Sequence, residues 1–112
     1  MEARLKTAIQ VTALIRRCDM AAIGVAVTAR GDPDAGAILI KLDGREAGAA
    51  VLTQTRQADG TLAWMRATGA APVADAAADA YIARQRQRDP DLWVVEIDTA
   101  VPETLLDDAI IT

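Results

Sequence analysis

Between residues 21 and 66 the chain contains four short apolar runs with an alternating pattern, separated by groups of turn-forming residues. In the first run Ile23, Val25 and Val27 alternate with small or polar residues, which is typical of a strand with one buried face. The separating groups at residues 30–36, 44–48 and 59–60 all contain glycine; the first and last also contain aspartate, and the first contains proline. Strands joined by such short connections pair as antiparallel neighbours. This region therefore constrains the chain to a fold built on an antiparallel sheet.

Two segments with helical periodicity flank these strands. The apolar side chains of residues 3–20 project onto one broad arc, and residues 74–88 carry a thinner stripe made mainly of alanine. Pro90 ends the second helix, and the strand 92–97 opens on an unbroken apolar run of the kind that is covered on both faces. We therefore predict an α+β fold of order α-β-β-β-β-α-β. Its five-stranded, mostly antiparallel sheet carries the two helices, with one or both on one face.

A length of 112 residues predicts a single domain, residues 1–112, with one hydrophobic core. Charge is unevenly distributed, because the net charge is −4 but the segment after Asp89 contains six acids and no base. We expect residues 100–112 to form an acidic C-terminal tail with one short helix of one or two turns. Such a segment is usually a solvated surface, and less often it docks on a basic partner.

The compartment is inferred from several features of the sequence. No apolar run approaches the roughly 18–20 residues that cross a bilayer, and the first residues lack the apolar core of a signal peptide. The one cysteine, Cys18, can form no disulfide within the chain, and we expect it to be a small buried side chain. We therefore expect a cytoplasmic protein without membrane contact. The net charge of −4 argues against binding to nucleic acids.

The sequence contains no histidine, serine or asparagine. Ser-His-Asp and Cys-His catalysis, histidine general bases and histidine zinc sites are therefore excluded. Any catalysis would have to rest on carboxylates, Arg, Lys, Tyr, Thr or Cys18. We favour a protein that is not an enzyme, and we predict no cofactor, no metal site and no catalytic residue.

Arg16 is the first candidate for a ligand-binding residue, because it projects into the apolar arc of the first helix near Leu5 and Ile9. A guanidinium in that position needs acceptors to offset the cost of desolvation. It can extend to the edge of the domain or pair with a carboxylate such as Asp19 or Glu96, which would be a structural role. Alternatively, it binds an anion beside the sheet.

The connection at residues 30–36 supplies three further candidates, Arg30, Asp32 and Asp34. Two carboxylates fall far short of the roughly six to eight oxygen ligands of Ca²⁺. An Asx-type turn before a strand is the simpler explanation for them. Arg56, at the end of the third strand, could join Arg16 and Arg30 in an anion-binding pocket at one end of the sheet.

Partner binding is a separate possibility suggested by the distribution of charge. Arg84 and Arg88 lie at the end of the second predicted helix, and Asp107 and Asp108 lie in the acidic tail. The second helix of one subunit could therefore meet the tail of another, which would make the protein a homo-oligomer, or these residues could bind an unidentified protein partner.

Two segments are similar to a known family: RGDPDAGAILIKL at Arg30–Leu42 and RDPDLWVVEI at Arg88–Ile97. Together with LIRR at Leu14–Arg17 and QTR at Gln54–Arg56, they resemble a bacterial family catalogued as domain of unknown function 1491. The resemblance covers nearly the whole chain and implies a small stand-alone bacterial protein, mostly of alphaproteobacteria. It implies no activity and no catalytic residues.

Two functions therefore remain open. The first is a small, non-catalytic binding or protein-interaction module. The alternative is an anion- or nucleotide-binding domain that uses clustered arginines.

Overall fold

In the computed structural model, which describes residues 5–111, two helices lie on opposite faces of one six-stranded sheet. The elements in chain order are α1 (Thr7–Met20), β1 (Val25–Ala29), β2 (Ile38–Asp43), β3 (Ala49–Arg56), β4 (Leu62–Arg66), α2 (Asp75–Arg88), β5 (Trp93–Ile97) and β6 (Ala109–Ile111). Short 3-10 helices occupy Arg45–Ala47 and Pro102–Thr104. No helix among residues 5–111 is long and apolar enough to span a bilayer.

The α+β class and the two helices are confirmed, but the sheet differs from the prediction in detail. The strand order is β1-β5-β2-β3-β4-β6, and the pairs β2–β5 and β4–β6 are parallel, so the sheet is mixed and has six strands rather than five. Strands β2, β3 and β4 form an antiparallel meander as expected, but β1, expected to pair with β2, pairs with β5. Strand β5 lies between β1 and β2, because α2 carries the chain back across the sheet and parallel pairing requires such a crossover.

The two ends of the chain also differ from the prediction. The predicted start of the first helix at Ala3 lies outside the described residues, and α1 begins at Thr7. The Thr7 hydroxyl donates a hydrogen bond to the carbonyl of Gly36 at 2.7 Å, so the loop before β2 holds the start of α1. The predicted tail contains a 3-10 helix and the short strand β6, which pairs with β4; Thr112 lies outside the described residues.

Alternation along β2 divides the core into two layers. Ile38, Ile40 and Leu42 point to the face covered by α1, which we call face 1, and Leu39 points to the face covered by α2, face 2. Both faces of β2 and β5 are therefore buried, and the apolar run before Ile97 predicts this for β5. The remaining buried side chains of face 1 are Val11, Leu14, Cys18, Ala50, Leu52, Trp64, Trp93, Val95, Ile97 and Leu105.

One helix cannot cover face 1 completely. Six strands about 4.8 Å apart span about 24 Å, whereas an α-helix is about 10 Å across. Helix α1 lies towards the β1 side of the sheet. On the opposite side the chain after β5 folds back over face 1, where Leu105 is buried and Leu106 packs against the core. The gap between α1 and this C-terminal segment leaves a groove in the surface.

Candidate functional site

The groove on face 1 has a volume of about 790 Å³, within the range of small-molecule sites (roughly 300–1,000 Å³). It runs between α1 and residues 106–108, and β3 and β4 form its floor. Its apolar lining includes Leu14, Ile38, Leu62, Trp64 and Leu106, and its polar lining includes Gln10, Arg17, Gln54, Arg56, Asp59, Asp107 and Asp108. The groove therefore combines an apolar surface with charged side chains of both signs.

Arg56 supplies positive charge on the floor of this groove. The side chains of Ala50 and Leu52 on β3 point to face 1, and the alternation of the strand places Gln54 and Arg56 on the same face, beyond the edge of α1. The guanidinium donates a hydrogen bond to the carbonyl of Gly60 in the hairpin that follows. Arg56 is exposed, and none of the ion pairs formed among residues 5–111 involves it, although the carboxylates of Asp59, Asp107 and Asp108 line the same groove.

Arg17 faces the groove from α1, but it already has acceptors. Its guanidinium donates to the carboxylate of Asp107 and, at 3.4 Å, to the carbonyl of Leu105. Its side chain is 45% exposed and that of Asp107 is 79% exposed, so solvent screens this ion pair. The burial of Leu105 against face 1, more than this ion pair, holds the C-terminal segment as one wall of the groove.

The groove continues past Arg56 into an extension of about 330 Å³. The extension exists because the β2–β3 ladder ends at the pair Leu39–Thr53, whereas β3 continues along β4 as far as Arg56. Beyond Thr53 the residues of β3 pair with β4, and no named strand pairs with their other edge. The extension lies there, lined by Thr7, Gln10, Ala35, Gly36, Ala37, Ile38, Gln54, Thr55, Arg56 and Leu62.

Of the three arginines expected in one pocket, only Arg56 lines the groove. Arg16 is exposed, because Leu5 and Ile9 beside it are themselves 61% and 52% exposed and form the outer edge of the apolar arc of α1. Glu96, considered above as a partner for Arg16, instead pairs with a lysine on face 2.

The loop at residues 30–36 is occupied by structural contacts. The guanidinium of Arg30 lies over the ring of Trp93, 5.5 Å from its centroid. The carboxylate of Asp32 accepts a hydrogen bond from the N–H of Ala35 at 2.7 Å, and its carbonyl accepts one from the indole of Trp93 at 2.7 Å. Asp34 lies 3.7 Å from the ammonium of Lys6. Arg30, Asp32 and Asp34 are therefore not brought together with Arg56.

The residues expected to bind a partner lie on two different sides of the sheet. Arg84 and Arg88 are exposed on α2, over face 2. Asp107 and Asp108 line the groove over face 1, and Asp107 is bound by Arg17 of its own chain. The acidic segment is therefore folded against its own helix α1.

A second polar cluster lies on face 2 around Lys41, which is 6% exposed. Its ammonium lies 2.7 Å from Asp75, 2.7 Å from Asp79 and 3.2 Å from Glu96, so all three of its N–H donors have a carboxylate acceptor. Burial alone would lower the pKa of Lys41, but the hydrogen bonds to these carboxylates outweigh burial and raise the pKa above its ordinary value.

The carboxylates of this cluster could in principle hold a cation, since one oxygen each of Asp43, Asp75 and Glu96 lies within 4.8 Å of the others. The Lys41 ammonium already provides the positive charge for Asp75 and Glu96. We therefore interpret the cluster as a structural connection between α2 and the sheet.

Sequence reasoning missed Lys41, Arg17 and Gln10 as members of these two sites. For Lys41 a signal was present, because it interrupts the apolar run Ile38–Leu42 on a buried strand and therefore needs acceptors. For Arg17 and Gln10 there was none, because their position in a groove depends on where the C-terminal segment folds.

The comparisons with known proteins agree on one family. The family described as "Protein of unknown function (DUF1491)" matches residues 5–107. A crystal structure of a DUF1491 family protein from Caulobacter crescentus CB15 is 35% identical, covers 96% of this chain and 99% of that chain, and superposes with a TM-score of 0.84. The NMR structure of a DUF1491 family protein from the same strain is 34% identical, with coverages of 97% and 98% and a TM-score of 0.80.

A more distant structure is the solution structure of protein Atu0922 from A. tumefaciens. It is 30% identical, covers 95% of this chain and 97% of that chain, and gives a TM-score of 0.74. A search of curated proteins finds no match. The predicted resemblance is confirmed, and the chain belongs to the DUF1491 family.

Proposed function

We propose that this protein is a non-catalytic binding module that takes an amphipathic ligand with one anionic group into the groove on face 1. The observation that carries the proposal is the position of Arg56, a cation without a carboxylate partner among residues 5–111, on the floor of a groove that also has apolar lining. A guanidinium in such a place forms strong, charge-assisted hydrogen bonds with carboxylate, sulfate or phosphate groups.

The rest of the lining supports a ligand with an apolar body and a single negative charge. Leu14, Leu62 and Trp64 offer apolar surface, whose burial contributes about 25 cal/mol per Å². Asp59 and Asp108 line the same groove, form no ion pair among residues 5–111, and repel additional negative charge. This arrangement favours one acidic group over the several charges of a nucleotide polyphosphate.

The chemistry of the lining supports binding without catalysis. The carboxylate of Asp59 accepts hydrogen bonds from the hydroxyl and the backbone N–H of Thr61, and these bonds lower its pKa. An ionised, hydrogen-bonded carboxylate is a poor general acid near neutral pH. The amides of Gln10 and Gln54 orient a ligand but do not transfer protons.

Isothermal titration calorimetry with three ligands that share an eight-carbon chain tests this proposal: octyl sulfate, octyl glucoside and octyltrimethylammonium. We expect octyl sulfate to bind about tenfold more tightly than octyl glucoside, because a charge-assisted hydrogen bond adds roughly 1.5 kcal/mol or more. The cationic ligand should bind most weakly. All measurements stay below the concentrations at which these amphiphiles form micelles.

The control for the charge is a pair of matched variants. Arg56→Gln should abolish the preference for octyl sulfate, and Arg84→Gln, an exposed arginine on the other face, should keep it. Equal affinities for the three head groups, or a preference that persists in Arg56→Gln, would contradict the proposal.

A further inference from the structure

The extension of the groove beyond Arg56 is lined by groups that pair with peptide bonds. Gln10 and Gln54 line the extension, and the side-chain amide of Gln10 already donates one hydrogen bond to the carbonyl of Leu5 at 2.8 Å. Each side-chain amide offers both donors and an acceptor, which an acyl chain cannot use and a polypeptide backbone can. The composition of the extension therefore favours a polypeptide over a lipid as the occupant.

The backbone of β3 adds a further donor and acceptor at the same place. The N–H of Gln57 donates a hydrogen bond to the carbonyl of Thr61, and the N–H of Ala67 donates one to the carbonyl of Val51. The backbone groups of the odd-numbered residues of β3 therefore point towards β4. Backbone groups in an antiparallel strand alternate in direction, and those of Arg56 therefore point away from β4, to the side where the β2–β3 ladder has ended. An extended chain that enters the extension would reach the backbone N–H and carbonyl of Arg56 and could form hydrogen bonds with them, as an added strand does.

The charges along the groove are arranged in a way that orients such a chain. Arg56 lines both the extension and the main groove, whereas Asp107 and Asp108 line only the main groove, against the C-terminal segment. Asp107 is already paired with Arg17, so a C-terminal carboxylate at Arg56 leaves a basic residue a few positions earlier in the peptide close to Asp108. The same groove is lined by Leu14, Trp64 and Leu106, against which an apolar side chain of the peptide can pack.

The geometry points to the C-terminal end of an extended polypeptide as the ligand, with its terminal carboxylate bound by Arg56 and a basic residue upstream near Asp108. This inference rests on the proposed function, because it names the class of ligand for the same groove. It differs from a general amphiphile site in requiring backbone hydrogen bonds in addition to a charge.

The test uses two synthetic peptides and the intact protein. Both are N-acetylated hexapeptides with a lysine three residues before a C-terminal leucine, and they differ only in that one ends in a free carboxylate and the other in an amide. We expect the free carboxylate to bind at least tenfold more tightly than the amide. Because this comparison changes the ligand only, it does not depend on the folding of any variant.

Two protein variants complete the test. In Arg56→Gln the affinities for the two peptides should become equal, whereas Arg84→Gln should keep the difference. A free-carboxylate peptide with no advantage over the amide overturns the inference, as does an advantage that survives in Arg56→Gln. If octyl sulfate binds as proposed and neither peptide binds, the amphiphile site stands and the polypeptide assignment is wrong; if none of the three binds, both are wrong.

Discussion

The ammonium of Lys41 on β2 lies 2.7 Å from a carboxylate oxygen of Asp79 on α2. This contact matters because α2 has little apolar surface with which to hold the sheet. Ala78 is its one fully buried residue, and Tyr81 and Ile82 are only partly buried. The ion pairs of Lys41 with Asp75 and Asp79 therefore provide attachment that a larger apolar stripe would supply in other helices.

Replacing Lys41 should weaken this attachment more than replacing any one of its exposed partners. We expect Lys41→Met to lower the free energy of unfolding by about 2 kcal/mol, because Glu96 loses its cation in a half-buried position. Asp75→Asn should lower the free energy of unfolding by less than about 1 kcal/mol, since the Asp75 side chain is 64% exposed and solvent replaces the contact. Urea unfolding followed by tryptophan fluorescence measures both values. Equal losses in the two variants would contradict the central role of the lysine.

The raised pKa of Lys41 predicts a loss of stability at alkaline pH. Folding keeps the proton on this ammonium, so its contribution is complete below the ordinary lysine pKa of about 10.4 and declines as the pH rises above that value. One such group gives a slope of at most about 1.4 kcal/mol per pH unit. The groups that face it are Asp75 and Asp79 from α2 and Glu96 from β5, and the carboxylate of Asp43 on β2 lies beside Asp75 and Glu96.

Unfolding free energies measured between pH 9 and 11 test this dependence. We expect a steeper alkaline decline in the unaltered protein than in Lys41→Met. The buried thiol of Cys18, whose pKa is also raised, is present in both proteins and does not affect the difference. Parallel declines in the two proteins would show that Lys41 releases its proton equally in the folded and unfolded chain.

The local elements of the fold could be predicted because each has a signal in a short stretch of sequence. The hairpin at Asp59-Gly60 is an example, since Gly60 adopts φ +88°, a conformation that favours glycine. The neighbours of β5 could not be predicted, because they depend on where α2 crosses the sheet. Strand β6 has three residues, too few for alternation to be recognised in an acidic segment.

The candidate site could be predicted only in part. Arg56 was identified because it ends the third predicted strand and could converge with Arg16 and Arg30, but of these three only Arg56 lines the groove. The groove that surrounds it forms on the part of face 1 that helix α1 leaves uncovered, and it also depends on the contact between Arg17 and Asp107. These residues are 90 positions apart, and no pattern in the sequence links them.

The 30–36 loop provides a test of close backbone packing. A Cβ atom at Gly31 would overlap the carbonyl oxygen of Asp91, so Gly31→Ala requires the backbone to move. We expect Gly31→Ala to lower the free energy of unfolding by about 3 kcal/mol, at the upper end of the usual range for overpacking. Gly60→Ala is the matched control, because no atom lies within 4 Å of a Cβ at that position and only the positive φ opposes it, at about 1–2 kcal/mol. If the Gly31→Ala protein is as stable as the Gly60→Ala protein, the backbone of the 30–36 loop can move away from Asp91 at little energetic cost.

Cys18 predicts slow thiol chemistry in the folded protein. Its side chain is 0% exposed, and burial, together with the nearby charge of Asp19, raises the pKa of the thiol. Because the thiolate is the reactive form, we expect 5,5′-dithiobis(2-nitrobenzoate) at pH 8 to react at least about 100-fold more slowly with the folded protein than with the urea-unfolded protein. A Thr12→Cys, Cys18→Ala double variant is the control, since position 12 is exposed on the same helix and its thiol should react at nearly the unfolded rate. Rapid reaction of Cys18 in the folded protein would mean that α1 opens from face 1 far more often than its packing indicates.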